Sequence, residues 1–232
     1  MARRDKTHQN TMLEIKDIAR KQMAEQGTAG LSLSAIAREM EISAPGLYRY
    51  YSSRDDLITA LIIDAYTDLA IVLDQTSLQH SAQQPADRLY AVILAYREWA
   101  LLHPIDFQLI YGNPIPEYHA PEDTTTAPAQ RGFAVILNIL LEAFMKGELS
   151  VLVEQFALPA DLKVGLFSID DEIQRELPEI VIYAGLVGWY HIHGMIMLEL
   201  FHHTQSLIND TGAFYRFEVK NLLTRMGMQP NF

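Results

Sequence analysis

The sequence contains no cysteine. That absence removes disulfides and thiolate zinc sites, and it suits a reducing cytoplasm, the compartment expected here. No basic stretch followed by an apolar run opens the chain, so no signal peptide is expected. The chain also lacks a Gly-x-Ser-x-Gly elbow, a phosphate loop and a dinucleotide fingerprint,. His191 and His193 are two apart and diverge on a helix, while His202 and His203 are neighbours, so the histidines offer no i, i+4 metal pair,. Neither a cofactor nor a metal is expected, and enzyme chemistry has no visible foothold.

Charge is sparse as well. Only 20% of the residues are charged against 49% hydrophobic, the balance of a globular protein with a generous core,. One long run, Ile180 to Leu198, carries no formal charge and approaches the length of a bilayer span,. His191, His193, Trp189 and Tyr190 lie near its middle, and acids flank it at Glu179 and Glu199. Polar groups at mid-depth in lipid are costly. The run therefore reads as a helix buried in protein, and no membrane partner is expected.

The formal charge of −11 is unevenly spread. Residues 1–54 hold nine Lys/Arg against six Asp/Glu, and the remaining residues nine against 23. A small module able to approach phosphates is thus joined to a body that repels them. This sets the expected domain division, a small basic module over 1–54 and a larger acidic body over 55–232; the family resemblance given below implies DNA binding for the first and ligand binding and dimerisation for the second.

Within the basic part, Thr11 to Gln26 has the apolar spacing of a helix, with Gly27 as its stop,. Ser32 looks like an N-cap, and Leu33, Ile36, Ala37 and Met40 make a short amphipathic helix. After a brief turn, Ser43 can cap a second short helix over about Ala44 to Tyr51, with Pro45 tolerated in the first turn,. Ser53-Arg54-Asp55-Asp56 starts a longer helix to about Gln75 with acids favourable to its dipole,. Two short helices joined by a tight turn and braced by a third make a helix-turn-helix. The second helix of that motif enters the major groove of duplex DNA, its N-terminal residues leading.

Ser43, Ala44, Pro45 and Gly46 are small and allow close approach to base edges. Tyr48 and Arg49 lie one turn on, and Tyr50 beside them is expected at the surface. Tyr51 and Leu47 are expected to fill the core. Ser32 and Ser34 open the first helix of the motif and join the candidate DNA contacts. Arg3, Arg4 and Lys6 suit a disordered basic arm that positions the module on DNA.

The stretch "LSLSAIAREMEISAPGLYRYYSSRDDLITAL", with the helix before it, resembles the N-terminal DNA-binding domain of TetR-type transcriptional regulators over about residues 12–61. The resemblance implies a phosphate contact for Arg54, where the family usually carries Lys. It also implies a homodimer on palindromic operator DNA. Glu41 departs from the pattern, in which Gly is common, and implies slight backbone strain in the turn.

Beyond residue 75 the pattern is helical and punctuated by Pro and Gly, giving an all-α fold. Helices are expected over Ala86–Leu102, Ile105–Tyr111, Gln130–Lys146, Leu177–His203 and Thr211–Met226. "GNPIPEYHAPEDTTTAPA" reads as a loop, and residues 148–171 take no clear assignment. "GWYHIHG" together with "LLHPIDFQLIYGNPIPEY" resembles the C-terminal domain of the TetR subset marked by Trp-x-x-x-His-Gly, matched by Trp189, His193 and Gly194.

His193 reads first as a neutral core histidine bonded to a neighbouring helix. A sharper reading places Trp189 and His193, and the i, i+4 pair Trp99 and His103, around an apolar pocket with Phe107, Tyr111 and Phe144. A small apolar or aromatic effector would suit it. Gly185 and Gly188, beside Phe214 and Phe217 of the last helix, fit a subunit interface. The competing function is a protein-interaction module whose helix-turn-helix no longer binds DNA specifically.

Overall fold

Ala2 to Gln26 contains neither proline nor glycine, and it forms one continuous helix, α1. The structure, a computed structural model, describes residues 2–149 and 177–231. Among them the order is α1, a 3-10 turn η1 (Thr28–Gly30), α2 (Leu33–Glu39), α3 (Ala44–Leu47), α4 (Arg54–Gln79) and α5 (Pro85–Leu102). It continues with α6 (Pro104–Tyr111), α7 (Glu122–Met145), α8 (Glu179–Leu200) and α9 (Thr211–Arg225). No strand occurs among the described residues, and the fold is all-α.

Three expectations are corrected. The N-terminal arm is helical rather than disordered, because nothing in it breaks the helix,. The second helix of the motif ends at Leu47, not Tyr51: the Tyr50 amide donates to the Leu47 carbonyl at 2.8 Å, a tight closure that stops propagation,. The Pro/Thr-rich loop is shorter than expected, since α7 starts at Glu122 and carries Pro128 inside it. The Pro121 carbonyl accepts the amides of Thr124 and Thr125, and Glu122 and Asp123 supply an acidic first turn that suits the dipole,. The unassigned stretch falls, from residue 150 to 171, outside the described residues.

The chain divides into two compact units. The first comprises residues 1–66 and 103–127. Its core gathers Ile15 and Ala19 of α1, Ile36 of α2, Leu47 of α3 and Leu57, Ile58 and Leu61 of α4, all without solvent exposure. Leu109 of α6 and Ile115 join that core, so α6 is part of this unit. Ion pairs frame it: Lys16 to Asp64 at 2.6 Å, and Arg20 to Asp106 at 2.9 Å.

The second unit comprises residues 67–102 and 128–232, and here α5, α8 and α9 pack together. α8 is long and apolar enough to cross a membrane by composition. Ile180, Val181, Ile182, Ala184, Ile192 and Ile196 are nevertheless buried within the unit, the behaviour of a core helix,. Arg97 of α5 holds Glu199 of α8 with two hydrogen bonds, and the Tyr215 hydroxyl of α9 donates to the Ile93 carbonyl at 3.3 Å.

Candidate functional site

Ser43 fixes the start of α3. Its backbone is extended, and its hydroxyl accepts the Gly46 amide at 3.2 Å,. Gly46 was expected on the contact surface, but it is buried. A Cβ there would lie 3.1 Å from the Ser43 hydroxyl, so the glycine makes room for the cap. Ser43, Ala44 and Pro45 are exposed at the leading end. The turn between α2 and α3 needs one left-handed residue, and Glu41 supplies it at φ 56. The strain expected from the missing glycine is therefore real.

Tyr48 is 51% exposed and Arg49 is exposed beside it. Tyr51 is buried, and burial pushes its phenol up to about 12. Its hydroxyl has no hydrogen-bond partner among the described residues. Tyr50 departs from the expected surface position: it is half-buried against the core and stacks on His8 of α1, ring centroids 4.7 Å apart.

Ser32 caps α2 by accepting the Ala35 amide, and its hydroxyl lies 3.0 Å from that of Ser34. Arg54 opens α4 and turns back across the head. Its Nε donates to the Leu31 carbonyl and its Nη2 to the Ala29 carbonyl, each at 3.2 Å, and Nη1 lies 3.8 Å from Asp55. The guanidinium thus ties the start of α4 to η1 and the entry of α2. Ser32, Ser34, Tyr48, Ser52, Ser53 and Arg54 border one open surface cleft of about 510 Å³. Hydroxyls and a guanidinium on a concave surface suit the oxygens of a phosphodiester. Ser52 and Ser53 were not among the sequence candidates. Their only signal was their place just ahead of α4.

The effector residues are divided between the units. His103, Phe107 and Tyr111 lie in the first, where Phe107 is fully buried and Tyr111 packs on both Phe107 and Tyr66. Trp99, Phe144, Trp189 and His193 lie in the second. The expected i, i+4 pairing of Trp99 with His103 is corrected: Pro104 forces His103 out of the helix, to φ −123 and ψ 56, and α5 ends at Leu102,. Trp189 and His193 do share a face, with ring centroids 5.1 Å apart. Phe133 closes on Trp189 at 6.1 Å. The sequence reading missed two polar partners. Tyr96 places its hydroxyl 2.8 Å from His193 Nδ1, and Asp68 accepts the Trp99 indole N–H at 2.8 Å. Burial holds His193 below the usual imidazole range,. Tyr96 could have been found from its place three residues before Trp99, on the same face of α5.

The glycines expected at a subunit contact are filled from within the chain. A Cβ on Gly185 would lie 2.5 Å from Leu137 and 3.3 Å from Phe133, and one on Gly188 would lie 3.3 Å from Met226. They serve the approach of α7 and of the residues after α9, which corrects their assignment. Of the three glycines of α8, Gly194 is the one whose Cβ would meet nothing within 4 Å. Val187, Tyr190 and Leu198 continue its stripe along α8 and are 39%, 63% and 49% exposed. Phe214 and Phe217 of α9 are 44% and 61% exposed.

Comparison with known proteins accords with this arrangement. The family described as "Bacterial regulatory proteins, tetR family" matches residues 15–61, and "Tetracyclin repressor-like, C-terminal domain" matches residues 89–222. The HTH-type transcriptional regulators Rv1816 of Mycobacterium tuberculosis and Mb1846 of Mycobacterium bovis are each 32% identical over 211 residues, covering 90% of this chain and 89% of theirs. The solved structure of regulatory protein SCO4313 superposes with TM-score 0.75 at 32% identity, covering 95% of this chain and 98% of that one. PfmR from Thermus thermophilus, a TetR family transcriptional regulator, shares the fold with TM-score 0.60 at 16% identity, covering 90% and 97%.

Proposed function

The chain belongs to the TetR family of bacterial transcriptional regulators, and on that premise we propose that it is a homodimeric repressor released from operator DNA by a small apolar or aromatic effector. The observation that carries the DNA step is the Ser43-capped start of α3, with Ala44 and Pro45 exposed and Tyr48 and Arg49 exposed one turn on. That end fits the major groove. Ser43, Ala44 and Pro45 approach base edges, while Tyr48 and Arg49 reach bases or phosphates. Ser32, Ser34 and Arg54 line the cleft that receives the backbone. Arg54 also braces the cleft, so its loss acts on affinity and on the geometry of the head.

One helix-turn-helix reads few base pairs, and a two-fold pair doubles the contacts on a palindrome. The outward stripe of Gly194, Val187, Tyr190 and Leu198, beside Phe214 and Phe217, supports pairing through α8 and α9. The effector reading rests on the aromatic group of Phe133, Trp189 and His193, with Tyr96 as its polar handle, and on Trp99 of the same unit, whose indole N–H is held by Asp68,. Ligand and DNA oppose each other by population shift: the ligand favours a conformation in which the two reading helices no longer match successive grooves. Within the first unit, Arg20 to Asp106 and Tyr66 to the Ile110 carbonyl link α6 to the helices that carry the reading head. A displacement of α6 therefore reaches α1 and α4 directly.

The test begins with duplexes enriched by the wild-type protein from a random-sequence pool, followed by anisotropy titration. Arg49→Ala and Tyr48→Ala are expected to lose affinity for the enriched site. Arg54→Ala is expected to weaken binding to every duplex and to make the salt dependence shallower. A strictly monomeric protein that enriches no sequence at low ionic strength overturns the reading, leaving a protein-interaction module as the alternative.

A further inference from the structure

The outward apolar stripe of α8 is symmetric about Gly194. At about 100° per residue, Val187, Tyr190, Leu198 and the C-cap residue Phe201 all fall within about 40° of Gly194 around the helix axis,. Val187 and Phe201 stand two turns from it on either side, and Tyr190 and Leu198 one turn. All four are exposed, while a Cβ on Gly194 itself would meet nothing within 4 Å. A two-fold axis crossing α8 at right angles at Gly194 sets equal and opposite offsets against each other. Tyr190 of one copy then meets Leu198 of the other, and Val187 meets Phe201. Each apolar group finds an apolar group, and the glycines stand where the two helices come closest. Beside Leu198 there is also a seat. The end of α8 and the start of α9 form a partly open cleft of about 100 Å³, bordered by Met195, Leu198, Ile208 and Phe214. Glu199 borders it too, but Arg97 and Thr211 already hold its carboxylate, so the cleft offers an apolar seat rather than a free charge. A closed apolar cavity of about 150 Å³ holds benzene, so there is room here for most of one ring.

We propose that α8 pairs antiparallel with α8 of a second copy about Gly194, and that Tyr190 of each copy seats its ring in the cleft beside Leu198 of the other. The area suits a second copy as the occupant. At about 200 Å² for a whole aromatic side chain, Tyr190, Phe201, Phe214 and Phe217 together leave roughly 400 Å² exposed,. One half of a homodimer interface of standard size holds roughly 500 Å² of apolar surface, and Val187 and Leu198 add to the four rings. The same arrangement explains why a tyrosine stands exposed on a helix whose other faces are buried: its packing partner belongs to the other protomer.

The inference rests on the dimeric reading above, and its test separates the two. The chain has no cysteine, so introduced cysteines report contacts without background. Cα atoms eight residues apart on one helix are about 12 Å from each other, too far for an internal disulfide. Under mild oxidation the double variant Tyr190→Cys/Leu198→Cys is expected to give a covalent dimer on non-reducing gels, and either single variant to give little. A single variant that crosslinks as well as the double one sets like against like and overturns the pairing. A double variant that stays uncrosslinked, while the wild type sediments as a dimer, overturns it too. Sedimentation equilibrium supplies a second measurement, with circular dichroism as the check on folding. Tyr190→Ala is expected to weaken the dimer at least about tenfold, and Tyr190→Phe, which keeps the ring, to stay within about threefold of the wild type. Leu207→Ala removes an exposed apolar side chain outside the stripe and is expected to change nothing. A dimer untouched by Tyr190→Ala leaves the cleft to another occupant, and an equal loss in Leu207→Ala reduces the effect to diffuse apolar contact; each overturns the proposal. If the wild-type protein sediments as a monomer, the dimeric reading itself has failed.

Discussion

Arg97 of α5 grips Glu199 of α8 with both prongs of its guanidinium, Nε to Oε2 at 2.7 Å and Nη2 to Oε1 at 2.6 Å. Burial pushes the Glu199 carboxyl upward, but hydrogen bonds from Arg97 and from Thr211 outweigh it, and the group sits below the ordinary carboxylate range. The Arg97 guanidinium also lies 5.4 Å from the Tyr215 ring centre. Side-chain exposures of 19% and 10% put the pair inside the protein. Removing one partner of a buried pair leaves the other charge uncompensated, so Arg97→Ala is expected to cost about 3 kcal/mol in urea denaturation. The double variant with Glu199→Ala should recover part of that loss. A cost below about 0.5 kcal/mol would class the pair with solvated surface bridges.

His193 gives the second unit a direction of pH dependence. Its folded value lies below the unfolded one because burial disfavours the imidazolium. As pH falls below the ordinary imidazole range, the unfolded chain binds the proton more readily than the folded one. The contribution to stability is therefore fully present above that range and declines on acidification. Melting temperatures between pH 7.5 and 5 should fall less in His193→Gln than in the wild type. Parallel curves for the two proteins would remove His193 from the account.

Tyr51 buries a hydroxyl that no group among the described residues satisfies. An unpartnered buried polar group costs on the order of 1–3 kcal/mol. Tyr51→Phe keeps the ring in the core and deletes the unpaired group, so the expected change is neutral to about 1 kcal/mol stabilising. A loss of more than about 1 kcal/mol would mean that the hydroxyl has a partner in solution.

Glu41 holds a left-handed backbone at φ 56 in the turn between α2 and α3. For a residue with a Cβ that conformation costs roughly 1–2 kcal/mol, and glycine returns part of the gain through its freer unfolded state. Glu41→Gly is expected to stabilise the head by about 0.5 kcal/mol, whereas Glu41→Val should destabilise it. Equal midpoints for all three proteins would show that the turn relaxes.

Much of the reading head was legible in the sequence because its signals are local. Ser32 and Ser43 act as caps, Gly27 stops α1, and the apolar spacing of Leu33, Ile36 and Ala37 marks the buried face of α2. Local signals also overreached. The tyrosine run after Leu47 reads as helix by spacing, yet a single short closure ends it. The partners that decide side-chain roles come from distant parts of the chain, and spacing within one helix does not say which residues of another helix they meet. His8 and Tyr50 are 42 positions apart, and Tyr96 and His193 are 97 apart. The glycines show the same limit, since small size signals close approach without saying which helix approaches. Gly185 receives α7 of its own chain, and only the structure distinguishes it from Gly194.

That distinction yields a test in which two readings predict opposite signs. A Cβ on Gly194 would meet nothing within 4 Å, so within one chain a larger residue fits without strain. Replacing a mid-helix glycine also raises helix propensity by up to about 1 kcal/mol. If α8 faced only water, Gly194→Leu would stabilise the protein and leave its mass in solution unchanged. If that face packs on the α8 and α9 of a second copy, the added side chain holds the two helices apart where the glycine allows close approach. The expected result is a dimer weakened at least tenfold in sedimentation equilibrium, with the helical content of each protomer preserved. Gly185→Ala is the matched contrast: its Cβ would stand 2.5 Å from Leu137, so it is expected to lower the stability of the protomer itself,. A Gly194→Leu protein that remains as dimeric as the wild type would rule this stripe out as the seam.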